Sequence, residues 1–193
     1  MKYIYFLLIC FLLNQPILIS SDIKGLVKTR DGALQDVVVY IEKISGMQFN
    51  PSATPTIMDQ KEMTFIPHVL PILTGTTVVF PNSDVTRHSV FSSGKIKKFD
   101  LGTYEQGAKK SLVFEKAGVI PLLCHVHPEM SAYIIVLETP YFAVTKESGD
   151  FIIKNVPTGK YKLTTWHEYA KPKTIEITVI KNKDLNVNFL LDE

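Results

Sequence analysis

A thiol, an imidazole and a thioether follow one another at three-residue intervals in the stretch PLLCHVHPEMSAYIIVLE, residues 121–138. They belong to Cys124, His127 and Met130, and they come directly after an apolar run that is typical of a β-strand. Because a loop after a strand is free of strand alternation, all three side chains can point at one ion. Sulfur and imidazole ligands together suit copper better than calcium or magnesium. The spacing therefore predicts a copper site on this loop.

A type 1 copper site needs a second histidine, with the methionine as a long axial ligand. His88 is the candidate, because it follows the strand-like VVFP and the turn-forming NSD. A structural zinc site would more often present its cysteines in pairs. We therefore expect one copper ion with four ligands. These are His88, Cys124, His127 and Met130.

The cysteine count gives Cys124 a special position. The chain of 193 residues has two cysteines, and Cys10 lies in the segment 1–21. That segment has a lysine, a short apolar run, a polar break and small residues at its end, which is the order of a secretory signal peptide. An uncleaved N-terminal anchor is the alternative. After cleavage Cys124 would be an unpaired thiol in an oxidising compartment, and metal binding explains it better than inert burial does.

Export predicts a periplasmic or secreted location. No segment after residue 21 approaches the length of a membrane span, so we expect no span after signal removal. The chain has 21 basic and 19 acidic side chains, which gives a net charge of +2. The basic residues are scattered and form no stripe, which argues against nucleic acid as a partner.

Strand patterns dominate the central segment, residues 56–139. In HVLPILTGTTVVFPN two apolar runs flank the turn residues 73–75, and two further runs flank residues 117–118. The short stretches HSVFSS and SAYIIVLE complete the set. No capping residue is followed by a sustained helical period. We therefore predict an all-β sandwich, with irregular structure or a short helix only near LGTYEQG.

The two ends of the chain carry further strand patterns. Segment 22–46 predicts a hairpin of two strands around TRDGAL, and a connector rich in Gly, Asn, Ser and Pro follows it. Segment 140–193 predicts several short strands separated by turns such as ESGD and VPTGK. Because an isolated hairpin is marginally stable, we expect the first pair to join the strands after Pro140. The central segment is then a domain inserted into a second domain.

The central segment resembles the cupredoxins, the blue copper proteins. The resemblance rests on F-x-P at 65–67, GTTVVFPN at 75–82, His88, F-x-x-AG at 114–118 and the cysteine loop, whose spacing is most similar to that of amicyanin. It implies a Greek-key β-sandwich that binds one type 1 copper ion and shuttles one electron. The implied ligands are the same four residues, and His127 would be the exposed edge for electron passage.

The sequence departs from the cupredoxin pattern in two respects. Cupredoxins commonly have Pro-His-Asn around the first ligand, where the asparagine ties the ligand loops together, but this chain has Ser89 after the histidine. Serine reaches less far, which puts the rigidity and the redox potential in doubt. The chain also has surplus histidines, His68 and His125. We expect them to be ordinary hydrogen-bonded residues, and the alternative is a second copper site, helped by Met58 and Met63.

The segments at the chain ends are similar to the carboxypeptidase regulatory-like, transthyretin-like sandwich. GLVKTRDGALQDVVVYIE has its D-x-G turn, and residues 149–163 match its pattern of G-x-F, V-P-x-G and Y-x-L. The resemblance implies a rigid spacer or a binding platform, without catalytic residues. His167 is expected at the surface, and a place at the domain interface near the copper is the alternative.

Together these features predict a one-electron carrier that is not an enzyme and that serves an unidentified redox partner protein. Residues 56–139 have eight basic and eight acidic side chains, so partner recognition should rely on shape and apolar contact. Five histidines are too few for a multicopper oxidase. Two alternatives stay open: a copper carrier or storage protein without redox cycling, and a mononuclear red-copper protein with Glu129 beside the site.

Overall fold

The computed structural model describes residues 20–192, and this part of the chain is all-β, as predicted. Residues 1–19 of the predicted signal segment 1–21 lie outside that range, and Ser20 and Ser21 belong to the first strand. Nothing in residues 20–192 folds into a helix with the length and apolarity that a bilayer crossing requires. The strands are β1 (Ser20–Lys28), β2 (Val38–Ile41), β3 (Thr56–Ile57), β4 (Asp59–Lys61), β5 (Thr64–Ile66), β6 (Val69–Leu73), β7 (Thr76–Pro81), β8 (His88–Ser92), β9 (Phe99–Tyr104), β10 (Lys109–Phe114), β11 (Gly118–Leu123), β12 (Ser131–Leu137), β13 (Phe142–Val144), β14 (Asp150–Pro157), β15 (Gly159–Trp166), β16 (Thr174–Val179), β17 (Leu185–Asn186) and β18 (Phe189–Leu190).

Strands β3 to β12 form what we call the central unit. Two sheets, in the orders β10-β7-β3 and β6-β12-β11-β8-β9, enclose one core, and the short hairpin β4–β5 stands beside them. Strand β7 shows why the sequence folds this way, because Thr76, Val78 and Phe80 alternate inward while their neighbours stay partly exposed. The strands predicted around residues 73–75 and 117–118 are confirmed.

Strands β1, β2 and β13 to β18 form the terminal unit around a second core. One sheet joins β14, β1, β17 and β18, and the other has the order β13-β2-β15-β16. The predicted pairing of the first two strands with strands after Pro140 is confirmed. The division of the chain into domains at 22–46, 56–139 and 140–193 stays a prediction.

The first two strands do not form the hairpin that the sequence predicts. β1 pairs with β14, whereas β2 pairs with β13 and β15 in the opposite sheet. The connection between them turns through Gly32 at φ 139° and Asp36 at φ 58°, and so carries the chain from one sheet to the other. Both strands then cover the same core from opposite sides, with Ile23 and Val39 fully buried.

The segment LGTYEQG, where irregular structure or a short helix was expected, is mostly strand. Residues Leu101 to Tyr104 belong to β9, which pairs antiparallel with β8. The low local apolarity reflects the edge position of β9 in its sheet. The pairing of β9 with β8 shifts its register between Ser89 and Phe91, as at a β-bulge. Gly102, which adopts the left-handed φ of 69°, allows β9 to continue beside β8 past this shift.

The two units pack against each other through a small apolar cluster, one ion pair and one histidine–carboxylate hydrogen bond. Val38 of the terminal unit is buried with Val69, Ile135 and Leu137 of the central unit. Lys43 pairs with Glu138 at 2.8 Å, and His68 pairs with Glu168 at 2.7 Å. Beside them, the rings of Tyr133 and Trp166 lie 5.1 Å apart. Both apolar packing and polar side-chain contacts therefore hold the two units together at this junction.

Candidate metal centre

Three of the four predicted ligands meet at one end of the central unit. His88 opens β8, Cys124 follows β11, and His127 lies on the loop that leads into β12. One nitrogen of each histidine and the sulfur of Cys124 lie within 4.8 Å of one another. The Nδ1 atoms of His88 and His127 are 3.0 Å apart, so these two nitrogens face the same point.

Met130, the fourth predicted ligand, lies at the end of the same loop. Its backbone N–H donates to the His127 carbonyl at 3.0 Å, and this turn sends its side chain into the core that also contains Cys124. Glu129 is exposed instead. The choice of Met130 as axial ligand stays a prediction, and its burial in the core beside the cysteine supports it.

His88 is fully buried, and its outer nitrogen is held by polar groups. Nε2 lies 2.9 Å from Asp84 Oδ2 and 3.1 Å from Thr86 Oγ1. A carboxylate only accepts, so Nε2 carries the proton and donates to Asp84. The lone pair then lies on Nδ1, the atom that faces His127. This is the carboxylate–histidine arrangement that orients metal ligands in proteins.

Asp84 stays ionised at neutral pH. The backbone N–H of Met63, and then hydrogen bonds from His88 and from the backbone N–H of Val85, lower the pKa of Asp84 to about 2. The carboxylate therefore places a fixed negative charge beside the ligand ring. Asp84 is not among the residues predicted from the sequence, although its position four residues before His88 in NSDVTRH is a local signal for the contact.

Ser89 links the two ligand loops in spite of its short side chain. Its backbone N–H lies 3.5 Å from Cys124 Sγ, and its hydroxyl lies 3.8 Å from the same sulfur. The hydroxyl oxygen also accepts the backbone N–H of His125 at 2.8 Å. The close approach of β8 and β11 makes the longer asparagine side chain unnecessary here.

The surplus histidines lie outside the ligand cluster. His125 stacks on Phe91, with ring centroids 3.8 Å apart, and its Nε2 lies 3.2 Å from Asp100. His68 pairs with Glu168 at the junction, and His167 Nδ1 accepts the Tyr169 N–H at 3.3 Å. Across residues 20–192, the one cluster of three or more His, Cys, Asp or Glu ligand atoms is the set from His88, Cys124 and His127.

The two additional methionines differ in exposure. Met58 is fully buried in the core of the central unit, so it packs as expected. Met63 is 48% exposed at the tip of the β4–β5 hairpin. Val85 and Val126, on the same loops as the predicted ligands, are also exposed, and His127 is partly buried. Exposed apolar side chains thus lie near the ligands together with the exposed charged residues Arg87 and Glu129.

The donor set fits a copper ion. It combines one thiolate and two imidazoles, with a thioether nearby, and soft sulfur with nitrogen is a set that copper takes. His88 and Cys124 lie at strand ends, and Asp84 and Ser89 hold them by hydrogen bonds. Chemically, such a site can keep one geometry while the charge of its ion changes.

No protein-family model matches the chain, and no curated protein matches it. The chain is similar to several solved structures, which include a cupredoxin, an amicyanin and a copper-containing reductase. A purple cupredoxin from Nitrosopumilus maritimus has 25% identity and a TM-score of 0.40, over 42% of this chain and 98% of that chain. An amicyanin in a reduced Cu(I) form has 21% identity and a TM-score of 0.41, over 51% and 97%. The copper-containing nitrite reductase NirK from Thermus scotoductus SA-01 has 26% identity and a TM-score of 0.43, over 51% of this chain and 25% of the reductase.

Proposed function

We propose that the protein is an exported type 1 copper protein that carries single electrons between partner proteins. One observation carries this proposal: the Nδ1 atoms of His88 and His127 lie 3.0 Å apart, and Cys124 belongs to the same cluster of ligand atoms within 4.8 Å. Met130 would complete the set as the axial ligand. Electron carriage is the function that the resemblance to the cupredoxins implies for this ligand set, and an axial Met130 would leave no open position for a substrate.

When bound, copper supplies a couple between Cu(II) and Cu(I), and the chain supplies the fixed geometry. Asp84 holds the ring of His88, and Ser89 holds the loop of Cys124 through the His125 amide. Ligands that are fixed in this way need to move little when the oxidation state changes. His127 is the least buried of the four proposed ligands, so its ring edge is the proposed path for electrons.

The surface around His127 is the proposed docking site for a redox partner. Val85 is 81% exposed, and Met63 and Val126 are exposed beside it. Because basic and acidic side chains balance within residues 56–139, apolar contact and shape would govern the encounter. Transient redox complexes have small interfaces, which fits a patch formed by a few loops.

The proposal includes export and a role for the terminal unit. Residues 1–21 would be removed as a signal peptide, and the mature protein would be periplasmic or secreted. The terminal unit would be a transthyretin-like spacer or platform, interrupted by the central domain at residues 56–139. N-terminal sequencing of the protein recovered from the extracytoplasmic fraction tests the first part, and an intact residue 1 would refute it.

The contacts of the remaining histidines favour electron transfer over copper carriage. A carrier would profit from exposed spare ligands, but His68 is engaged by the largely buried Glu168, and the half-exposed His125 stacks on Phe91 and contacts Asp100. Exposed Glu129 beside buried Met130 likewise supports an axial methionine over the open position of a red-copper protein.

Absorption spectroscopy after addition of Cu(II) tests the proposal. We expect one copper per chain, an intense visible thiolate-to-copper band and reversible reduction. Cys124→Ser should abolish the band, and His127→Ala should alter it. The matched control His125→Ala removes a histidine of the same loop that points elsewhere, and it should keep the band. Colourless copper binding in the wild-type protein would refute the type 1 site.

A further inference from the structure

The carboxylate of Asp84 connects the metal centre to a hairpin that carries no ligand. Its Oδ2 accepts both the ring N–H of His88, at 2.9 Å, and the backbone N–H of Met63, at 2.8 Å. Its Oδ1 accepts the N–H of Val85 at 2.7 Å. The side chain is 9% exposed, so protein groups supply most of its hydrogen bonds. One buried carboxylate thus joins β8, its own loop and the tip of β4–β5.

The hairpin tip has an unfavourable backbone conformation. Glu62 and Met63 adopt φ values of 53° and 56°, in a region where Asn and Gly are the usual residues of a two-residue turn. Both side chains are exposed, so their packing does not account for the conformation. Strained residues persist where the surroundings over-determine them. The contact that their conformation makes possible is the hydrogen bond from the Met63 amide to Asp84.

The rest of the hairpin is also tied to the loop of Asp84. The Ser83 N–H donates to the Gln60 carbonyl at 3.0 Å, and Gln60 Nε2 donates to the Pro81 carbonyl at 2.9 Å. Asn82 Oδ1 in turn accepts the N–H of Asp84 at 3.0 Å. The hairpin and the loop therefore form one hydrogen-bonded block behind the ligand ring.

We propose that Asp84 is a positioning residue for the metal ligand His88, and that the strained turn at Glu62 and Met63 holds Asp84 in place. This inference rests on the proposed copper site. The carboxylate keeps the proton on Nε2, so that Nδ1 offers its lone pair to the metal. Its negative charge beside the ring also favours the more highly charged metal state.

The first test needs no copper. Nitrogen-15 NMR of the histidine rings in the metal-free protein at neutral pH should show His88 protonated at Nε2. In Asp84→Asn one orientation of the amide sets its NH₂ group against the N–H of Val85, and the other orientation sets it against the His88 ring and the N–H of Met63, so neither orientation keeps all three hydrogen bonds. We expect the Nε2–H signal of His88 to lose intensity to the Nδ1–H form. A wild-type ring protonated at Nδ1 would overturn the proposal without any variant.

The matched control is Asp100→Asn, which removes a carboxylate from His125, a histidine that is not a proposed ligand. It should leave the His88 ring signals unchanged. The double substitution Glu62→Asn with Met63→Gly suits the turn better and keeps the amide at position 63. We expect it to raise the unfolding midpoint and to leave the ring signals of His88 unchanged.

The second test uses the copper-loaded protein. Loss of a partner that orients a metal ligand typically costs 10-fold to 100-fold in affinity, and we expect Asp84→Asn to show such a loss for Cu(II). The loss for Cu(I) should be about tenfold smaller, which raises the reduction potential by about 59 mV. Asp100→Asn should change neither affinity. Equal effects of the two variants on potential and ring signals would overturn the proposal. If no type 1 site forms at all, the proposed function fails, while the NMR result still decides the role of Asp84.

Discussion

Replacement of Ser89 by alanine tests how the two ligand loops are joined. The hydroxyl is fully buried, accepts the His125 N–H at 2.8 Å and lies 3.8 Å from Cys124 Sγ. In Ser89→Ala the amide loses its acceptor, which costs about 1–2 kcal/mol for a partly buried group. For a protein of this size that corresponds to a fall in Tm of about 2–8 °C. The backbone N–H of residue 89 keeps its contact with the sulfur.

The assay is urea unfolding of the metal-free protein, followed by voltammetry of the copper-loaded protein. The control is Ser93→Ala, a substitution at an exposed position after the same strand. It should leave both the free energy of unfolding and the reduction potential unchanged. In Ser89→Ala the sulfur also loses a donor that stabilises its negative charge, so the reduction potential should fall. A free energy of unfolding within about 0.3 kcal/mol of wild type, a difference below the usual cost of a lost hydrogen bond, would refute the linking role of Ser89.

Three further substitutions test other parts of the fold. Burial raises the pKa of Tyr104 to about 12. Its contribution to stability is therefore present below pH ~10 and lost between pH ~10 and ~12. The decline of the unfolding free energy across that range should be smaller in Tyr104→Phe than in wild type, where other, partly buried tyrosines with raised pKa values add to it. Glu168→Gln removes the carboxylate that His68 Nε2 contacts at 2.7 Å and should cost about 1 kcal/mol. The thermal transition of the single tryptophan, which lies at the junction, should then come earlier, and an unchanged transition contradicts the prediction. In Gly25→Ala the new Cβ would overlap the Val187 carbonyl oxygen. Urea should therefore unfold the terminal unit at a lower concentration than in wild type, while the visible copper band persists. Loss of the band without urea would contradict the separation of the two cores.

The sequence predicts those parts of the structure that depend on local residue types. The strands on either side of residues 73–75 follow from alternation and turn chemistry, and three of the proposed ligands are predicted by their spacing on one loop. The linking role of Ser89 depends instead on which strands lie side by side. The approach of β8 to β11 fixes its contacts with the cysteine loop, and no local pattern contains them. Asp84 lies only four residues before His88, but its hydrogen bond from Met63 depends on the position of the β4–β5 hairpin.

The same limit explains the unpredicted separation of β1 and β2. Their alternation predicts two strands, and the turn residues between them predict a reversal of the chain. Whether a reversal ends in a hairpin or in a step to the opposite sheet depends on the partners that compete for each strand edge. Here β14 pairs with β1 over most of its length, from Ser20 to Leu26. The long partner takes the edge that β2 would have used.

Strand β12 connects the metal centre to the terminal unit. It begins at Ser131, directly after Met130, and its residue Tyr133 lies against Trp166 across the junction. His68 approaches the same place, because its carbonyl accepts the Tyr133 N–H at 2.9 Å and its ring pairs with Glu168. The junction is therefore three residues from a proposed ligand. A terminal unit fixed so close to the ligand end would limit the directions from which a partner reaches His127, and it would do so without contributing a ligand.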